Sequence, residues 1–472
     1  MPAARNPRVR RSPESVASAA SAVSAEPAIS RDSAVAVESA AAGNPLLSTW
    51  PLLLGMGILM LGSGLQSTLL GLRATLEEFP TAVTGLVMSG YYLGYLSGTL
   101  VAPGMLRRVG HVRVFATLAA LASCAALAHA AWVHPLPWAA VRMVSGLCFA
   151  GIYVVAESWL NHRASRSNRG RLLAVYMLVL YVGLGAAQFL LLLSSPQSDR
   201  PFMLVAALIS LAMVPIVASA QQTPEPAATQ PVRYRDLYHI SPLAVTTVAV
   251  SGVITSIIFS MGPVYARLSG FSTRGVAEFM AVSILAAVLT QYPVGRFSDR
   301  TDRRNVIGGA CMLATLAAAS IVAFTPLPRV PFLLLTALFS GAALTLYSLA
   351  VSHINDRLQP AQMVAASSAL LLINGMAAAV GPTLAGSLMS LVGPRGYFGT
   401  LSALTGALTV FDLWRKSRRG AVPSDQKGPY IPAAEIVSCA GLDPAPPGGA
   451  EPGDFPARPM SVKSAAAARS SP

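Results

Sequence analysis

A few side chains in this sequence stand inside long oily stretches although water would ordinarily hold them. They are Arg142 and Glu157, the amides Gln66, Gln188, Gln291 and Asn374, the phenols Tyr91, Tyr92, Tyr95 and Tyr181, and also Glu278 and His353. A charge at membrane depth costs about 3 kcal/mol or more against lipid, so such a residue must find a partner or a wet passage. The chemistry on offer is binding and transit. Amides and phenols hydrogen-bond a solute, and aromatic faces hold planar or cationic groups. The same groups can instead tie helix to helix. Arg142, Tyr92, Gln188, Asn374, Gln66 and Glu278 are the candidate substrate or proton pathway. Arg142, about one turn inside its apolar run, has two other readings: snorkelling to headgroups, or a structural ion pair. His353 lies so near one end of its run that packing at a gate is its expected role.

A second set of charges sits between the oily stretches. Gly295-Arg-Phe-Ser-Asp299-Arg300-Thr-Asp302-Arg303-Arg304 places carboxylates among guanidinium groups. A carboxylate at a helix end can accept from the free N–H groups opening a neighbouring helix. Asp299 is therefore expected to face residues 170–172, and Arg300, Arg303 or Arg304 to meet Asp356, latching a cytoplasmic gate. The alternative is a solvated basic loop that only sets topology. The corresponding earlier loop holds Arg107, Arg108 and Arg113, with Arg107 where an Asp would match, and Glu157 is the acid available to those three.

Other chemistries find no support. The six His residues are scattered, without the clustered acids that a membrane-embedded enzyme would need. Cys124, Cys148, Cys311 and Cys439 show neither a CxxC pair nor metal-ligand spacing. No phosphate-binding loop is present. The expectation is no enzyme, no metal and no cofactor. A non-transporting receptor, the other alternative, would need an ordered sensory or output domain, and no segment outside the oily stretches looks like one.

The elements that must position these residues follow from composition. Of 472 residues, 53% are apolar and only 11% charged, against about a quarter charged in a soluble domain. Lipid must be the main solvent. The net charge of +14 lies in short segments between apolar runs, where it sets orientation and leaves no basic domain for nucleic acid. Apolar runs near 48–72, 81–102, 112–133, 138–160, 170–193, 201–219, 243–264, 276–296, 305–325, 331–354, 363–392 and 396–414 have the length of a bilayer-crossing helix. They lack the alternation of a barrel strand. Arginines concentrate in alternate loops, for example Arg163, Arg166, Arg169 and Arg171, or Arg233 and Arg235, so both termini are expected to be cytoplasmic. Tyr153, Asn161 and Arg163 recur as Tyr347, Asn355 and Arg357 at the same spacings, which marks an internal repeat. The fold class expected is an all-α membrane protein of twelve transmembrane helices in two pseudo-symmetric six-helix bundles. Its domains would be a disordered tail over 1–45, a bundle over 46–219, a linker over 220–242, a bundle over 243–415 and a disordered tail over 416–472.

The 295–304 motif closely resembles the loop signature of the major facilitator superfamily. Ala156-Glu157-Ser158-Trp159-Leu160-Asn161, Leu346 to Ala350 and Asn355-Asp356-Arg357-Leu358 resemble its bacterial YcaD-type branch. The resemblance implies a secondary transporter, a permease or efflux carrier, that moves a small solute across the bacterial inner membrane by alternating access. Protons are the candidate coupling ion, and a monomer in the lipid bilayer is expected. In that family a fourth-helix Arg, here matched by Arg142, is associated with proton coupling in antiporters. Gly381-Pro382-Thr-Leu-Ala385-Gly386 is similar to the family's Gly-Pro antiporter motif but falls on the eleventh span, not the fifth.

Overall fold

Proline, glycine and small hydroxyl residues decide where the helices of this chain begin and end. The computed structural model describes residues 45–163, 169–219, 234–358 and 360–416. The expected tails, the 220–233 part of the linker, and Arg166 and Arg233 lie outside the described residues. Fifteen helices follow in order: α1 Pro45–Leu76, α2 Thr81–Val109, α3 His111–Ala131, α4 Pro135–Arg163, α5 Arg169–Leu190, α6 Arg200–Ala218, α7 Tyr234–Ile240, α8 Pro242–Leu268, α9 Thr273–Arg300, α10 Arg303–Phe324, α11 Arg329–Ala343, α12 Leu346–Asn355, α13 Pro360–Ala378, α14 Gly381–Val392 and α15 Arg395–Lys416. Ser241, Ser272 and Asp302 cap α8, α9 and α10, their side chains accepting from the backbone N–H of Ala244, Gly275 and Arg304 at 3.3, 3.3 and 3.0 Å. Gly110 and Gly393 close the turns before α3 and α15 at φ 83° and 74°, a region costly for any residue with a Cβ.

No strand occurs among the described residues. Among the described residues, ten helical spans, taking α11 with α12 and α13 with α14, are long and apolar enough to cross a membrane. α2 and α15 fall outside that set because Gly, Ser, Thr, Tyr and terminal charges dilute them. Large apolar side chains stand exposed around the helices, among them Leu86, Leu100, Leu193, Leu289, Phe297 and Leu391. Such a surface needs lipid around it.

Two stretches expected as single spans are interrupted. The tenth breaks at Leu344–Thr345, close to Gly341, whose carbonyl accepts from Thr290 Oγ1 of α9 at 2.9 Å. The eleventh breaks before Gly381, where Pro382 supplies no N–H to continue the ladder. Within the linker, α7 is helical, and its Leu237 is fully buried among Ala244, Val248, Tyr347 and Ile354.

From Thr49 onward the described helices pack as one unit. α2 runs along α4, and α3 packs on α4 and α6. The seam allows unusually close backbones: a Cβ on Gly94 would strike the Met143 carbonyl, and one on Gly146 the Tyr91 carbonyl. Behind it, Trp138 Nε1 donates to the His129 carbonyl at 3.0 Å, and the His129 ring stacks on Phe202. Among the later helices, α10 packs on α15, α8 on α13 and α9 on α11. The earlier and later groups meet where α2 touches α13 and α14 and where α5 touches α9.

Candidate functional site

Both groups of helices contribute to one buried cavity of about 80 Å³. Its wall takes Ser63, Gln66, Ser67 and Thr68 from α1, the tyrosines 91, 92 and 95 from α2, Arg142 and Phe149 from α4, and Gln188 from α5. Thr255, Ser256 and Phe259 of α8 and Leu371, Asn374 and Gly375 of α13 complete it. Five of the six expected pathway residues, Arg142, Tyr92, Gln188, Asn374 and Gln66, are thus brought together. Glu278 is not. It stands near the opening of α9, held by Arg274 at 3.1 Å and by Arg329 of α11. Two arginines within reach at an open helix end give its carboxylate a partner without burial.

Arg142 is the only charged residue in the wall among the described residues and is 3% exposed. Its guanidinium carbon lies 4.5 Å from the centre of the Tyr91 ring. That contact is a product of the Gly94 and Gly146 seam, because each glycine lets its helix approach beside one of the two partners. A desolvated cation–π pair returns about 2 kcal/mol. This offsets only part of the cost of holding a guanidinium at membrane depth. No carboxylate lies within ion-pair distance of Arg142 among the described residues, and its Nε has no hydrogen-bond partner. Snorkelling to headgroups does not describe a side chain this buried.

The amides divide into two kinds. Gln188 accepts from Thr68 Oγ1 at 2.7 Å and donates to the Leu184 carbonyl at 3.0 Å. Asn374 donates to the Val248 carbonyl at 3.1 Å. These two spend polar capacity on holding helices. Gln66 Nε2 and Thr255 Oγ1, both buried, have no partner. Sequence reasoning did not single out Thr255, nor Ser63, Ser67, Thr68 and Phe149. A hydroxyl in a helix usually bonds back to a carbonyl of its own turn, so its type alone carries no signal.

One mouth of the cavity is sealed by contacts between the two groups. Ser67 Oγ donates to the Phe259 carbonyl at 3.0 Å, Ser260 Oγ to Tyr92 Oη at 3.3 Å, and the Ser89 and Thr383 hydroxyls bond at 2.8 Å. Here α2 and α14 touch so closely that a Cβ on Gly386 would lie 2.7 Å from the Thr81 carbonyl.

The expected gate residues fare unevenly. Arg303 reaches Asp356 at 3.2 Å and Asp299 at 2.9 Å. Arg304 pairs with Asp302 at 3.1 Å, and Arg300 is exposed. Gly170, part of the stretch that Asp299 was expected to face, lies outside the residues whose surroundings are described. Glu157, expected to pair with Arg107, Arg108 or Arg113, is 4% exposed, and the three arginines are exposed. Outside the spans, burial would raise the Asp302 pKa, but hydrogen bonds from Arg304, side chain and backbone, outweigh it and hold the carboxyl below its ordinary value.

A helical bundle with a cavity between two groups of helices, mostly apolar but holding buried polar groups and an arginine, is the architecture of a membrane transporter. The Major Facilitator Superfamily model matches residues 52–327 and 279–445. The MFS-type transporter YcaD of Escherichia fergusonii is 30% identical over 343 residues, 72% of this chain and 88% of the relative. YcaD of Salmonella arizonae is 31% identical over 343 residues with the same coverage. Among solved structures, the nucleoside transporter NupG matches with a TM-score of 0.68 at 13% identity, covering 80% of this chain and all of that one. A bacterial homologue of the human lysosomal transporter Spinster, inward-facing and unoccupied, matches at 0.61 and 14% identity, covering 79% and 96%. The chain belongs to the Major Facilitator Superfamily. These relatives and neighbours are transporters and not enzymes.

Proposed function

We propose that this protein is a secondary active transporter that carries a small solute across a bacterial inner membrane by alternating access, driven by a proton gradient. In this reading α2 and α15 complete twelve spans, the bundles cover about 46–219 and 243–415, and both termini are cytoplasmic. The supporting observation is the cavity walled by α1, α2, α4 and α5 on one side and by α8 and α13 on the other. With the arginine-rich loops cytoplasmic, the Ser89–Thr383 seam lies on the outer side and closes it. The volume of about 80 Å³ is small against the roughly 300–1,000 Å³ of sites that enclose a drug-sized ligand. A solute of several carbons therefore enters only when the bundles part. Arg303, Asp299 and Asp356 tie the inner ends of α9, α10 and α12 into one rigid gate element. Glu157, a buried carboxyl on the same helix as Arg142, is the proposed proton carrier.

The test is flux of a mixed solute panel into proteoliposomes with and without an imposed pH gradient, comparing wild type, Arg142→Ala and Glu157→Gln. Protein-dependent flux that the gradient drives, and that loses its gradient dependence in Glu157→Gln, is the expected result. No flux above protein-free vesicles would remove the transport reading. Flux indifferent to the gradient would remove proton coupling alone.

A further inference from the structure

The cavity is short of acceptors. Three of its buried wall groups, Arg142 Nε, Gln66 Nε2 and Thr255 Oγ1, have no hydrogen-bond partner, and all three can donate. Among the described residues the wall contains no Asp, Glu or His to receive them. Its other polar side chains are partly committed to each other and to the backbone, as Thr68 is to Gln188 and Asn374 to the Val248 carbonyl. A buried donor left unmade carries a penalty that an incoming acceptor removes, and the penalty is larger when the donor is charged. The rest of the wall is flat and apolar: the Tyr91 and Tyr92 rings meet edge to face at 5.3 Å, and Phe149 lies 6.4 Å from Tyr91.

We propose, resting on the transport reading above, that the solute is an organic anion whose oxyanion group is received by Arg142, Gln66 and Thr255, with its planar body against the tyrosines and Phe149. A cation is disfavoured because it would meet Arg142 with no carboxylate to compensate. A neutral planar solute could use the rings and amides but would leave the buried guanidinium without a counter-charge.

The experiment pairs solutes of nearly one shape: benzoate with benzamide, and nicotinate with nicotinamide. Uptake of each is measured in proteoliposomes containing the full chain. The expected result is protein-dependent uptake of one or more anions at least about 10-fold above the neutral counterpart, the factor a charged hydrogen bond supplies. Arg142→Gln should abolish that preference, and Arg142→Lys should restore part of it. Thr255→Val keeps shape and deletes the hydroxyl, so it gives a second readout if Arg142→Gln fails to fold: a several-fold higher KM for the anion. Its KM for the amide counterpart, whose uncharged carbonyl gains less from the same hydroxyl, should rise less. Uptake of neutral members with anions excluded, or an anion preference unchanged in both Arg142→Gln and Thr255→Val, would overturn the anion assignment and leave transport standing. Absence of protein-dependent flux for every member would count against the transport reading too.

Discussion

Asp356→Asn isolates the buried arm of the Arg303 network. Arg303 Nη1 lies 3.2 Å from Asp356 Oδ1, and the two side chains are 1% and 2% exposed. On the other arm Nη2 donates to Asp299 at 2.9 Å, where the carboxylate is 39% exposed. Removing one member of a buried pair costs about 3–5 kcal/mol because it strands the other charge out of water. Asp299 still offsets part of the Arg303 charge, so the lower end, about 3 kcal/mol, is expected for Asp356→Asn. The same change at Asp299 removes a partner that water largely replaces and should cost about 1 kcal/mol or less. The gap of about 2 kcal/mol corresponds to roughly 30-fold in the unfolding equilibrium. Reversible unfolding in mixed micelles, followed by circular dichroism at fixed detergent composition, measures both variants on one scale. Equal costs, or a larger cost for Asp299→Asn, would refute the reasoning, since burial is the only feature said to separate the two carboxylates.

Two further outcomes are expected. Gly386→Val should wedge open the α2–α14 seam, where even a Cβ would lie 2.7 Å from the Thr81 carbonyl. A Ser89→Cys reporter in that background should then react several-fold faster with a membrane-impermeant thiol reagent added outside, and unchanged labelling would remove the seam from the gating account. The depressed pKa of Asp302 predicts a pH signature. The folded state favours its charged form, so the stabilisation is present above the unfolded value of about 3.9 and is lost as pH falls through the lower folded value. The stability difference between wild type and Asp302→Asn, about 1 kcal/mol or less, should be constant above about pH 5 and vanish in stronger acid. A difference independent of pH would show that the cap acts without its charge.

The membrane character, the succession of long helices and the set of polar residues worth watching were legible in the sequence, because hydrophobic length and charge content are local properties. So were five members of the cavity wall and the meeting of Arg303 with Asp356. A polar side chain in an apolar run must find company, and its type limits the company it can keep. What each polar residue did with its hydrogen bonds was not legible. Gln66 and Gln188 read alike as amides in oily helices, yet one has an unpartnered nitrogen in the cavity and the other is tied to Thr68 and Leu184. Glu278 was drawn away by Arg274 of its own helix and by Arg329, 51 residues on. Glu157 is buried although the arginines of the basic loop assigned to it are exposed. Thr255 gained its place only because α8 faces α1 and α2 across the cavity. Partner choice depends on rotation and distance between helices far apart in the chain, which the close approaches at Gly94, Gly146 and Gly386 set and no single stretch encodes.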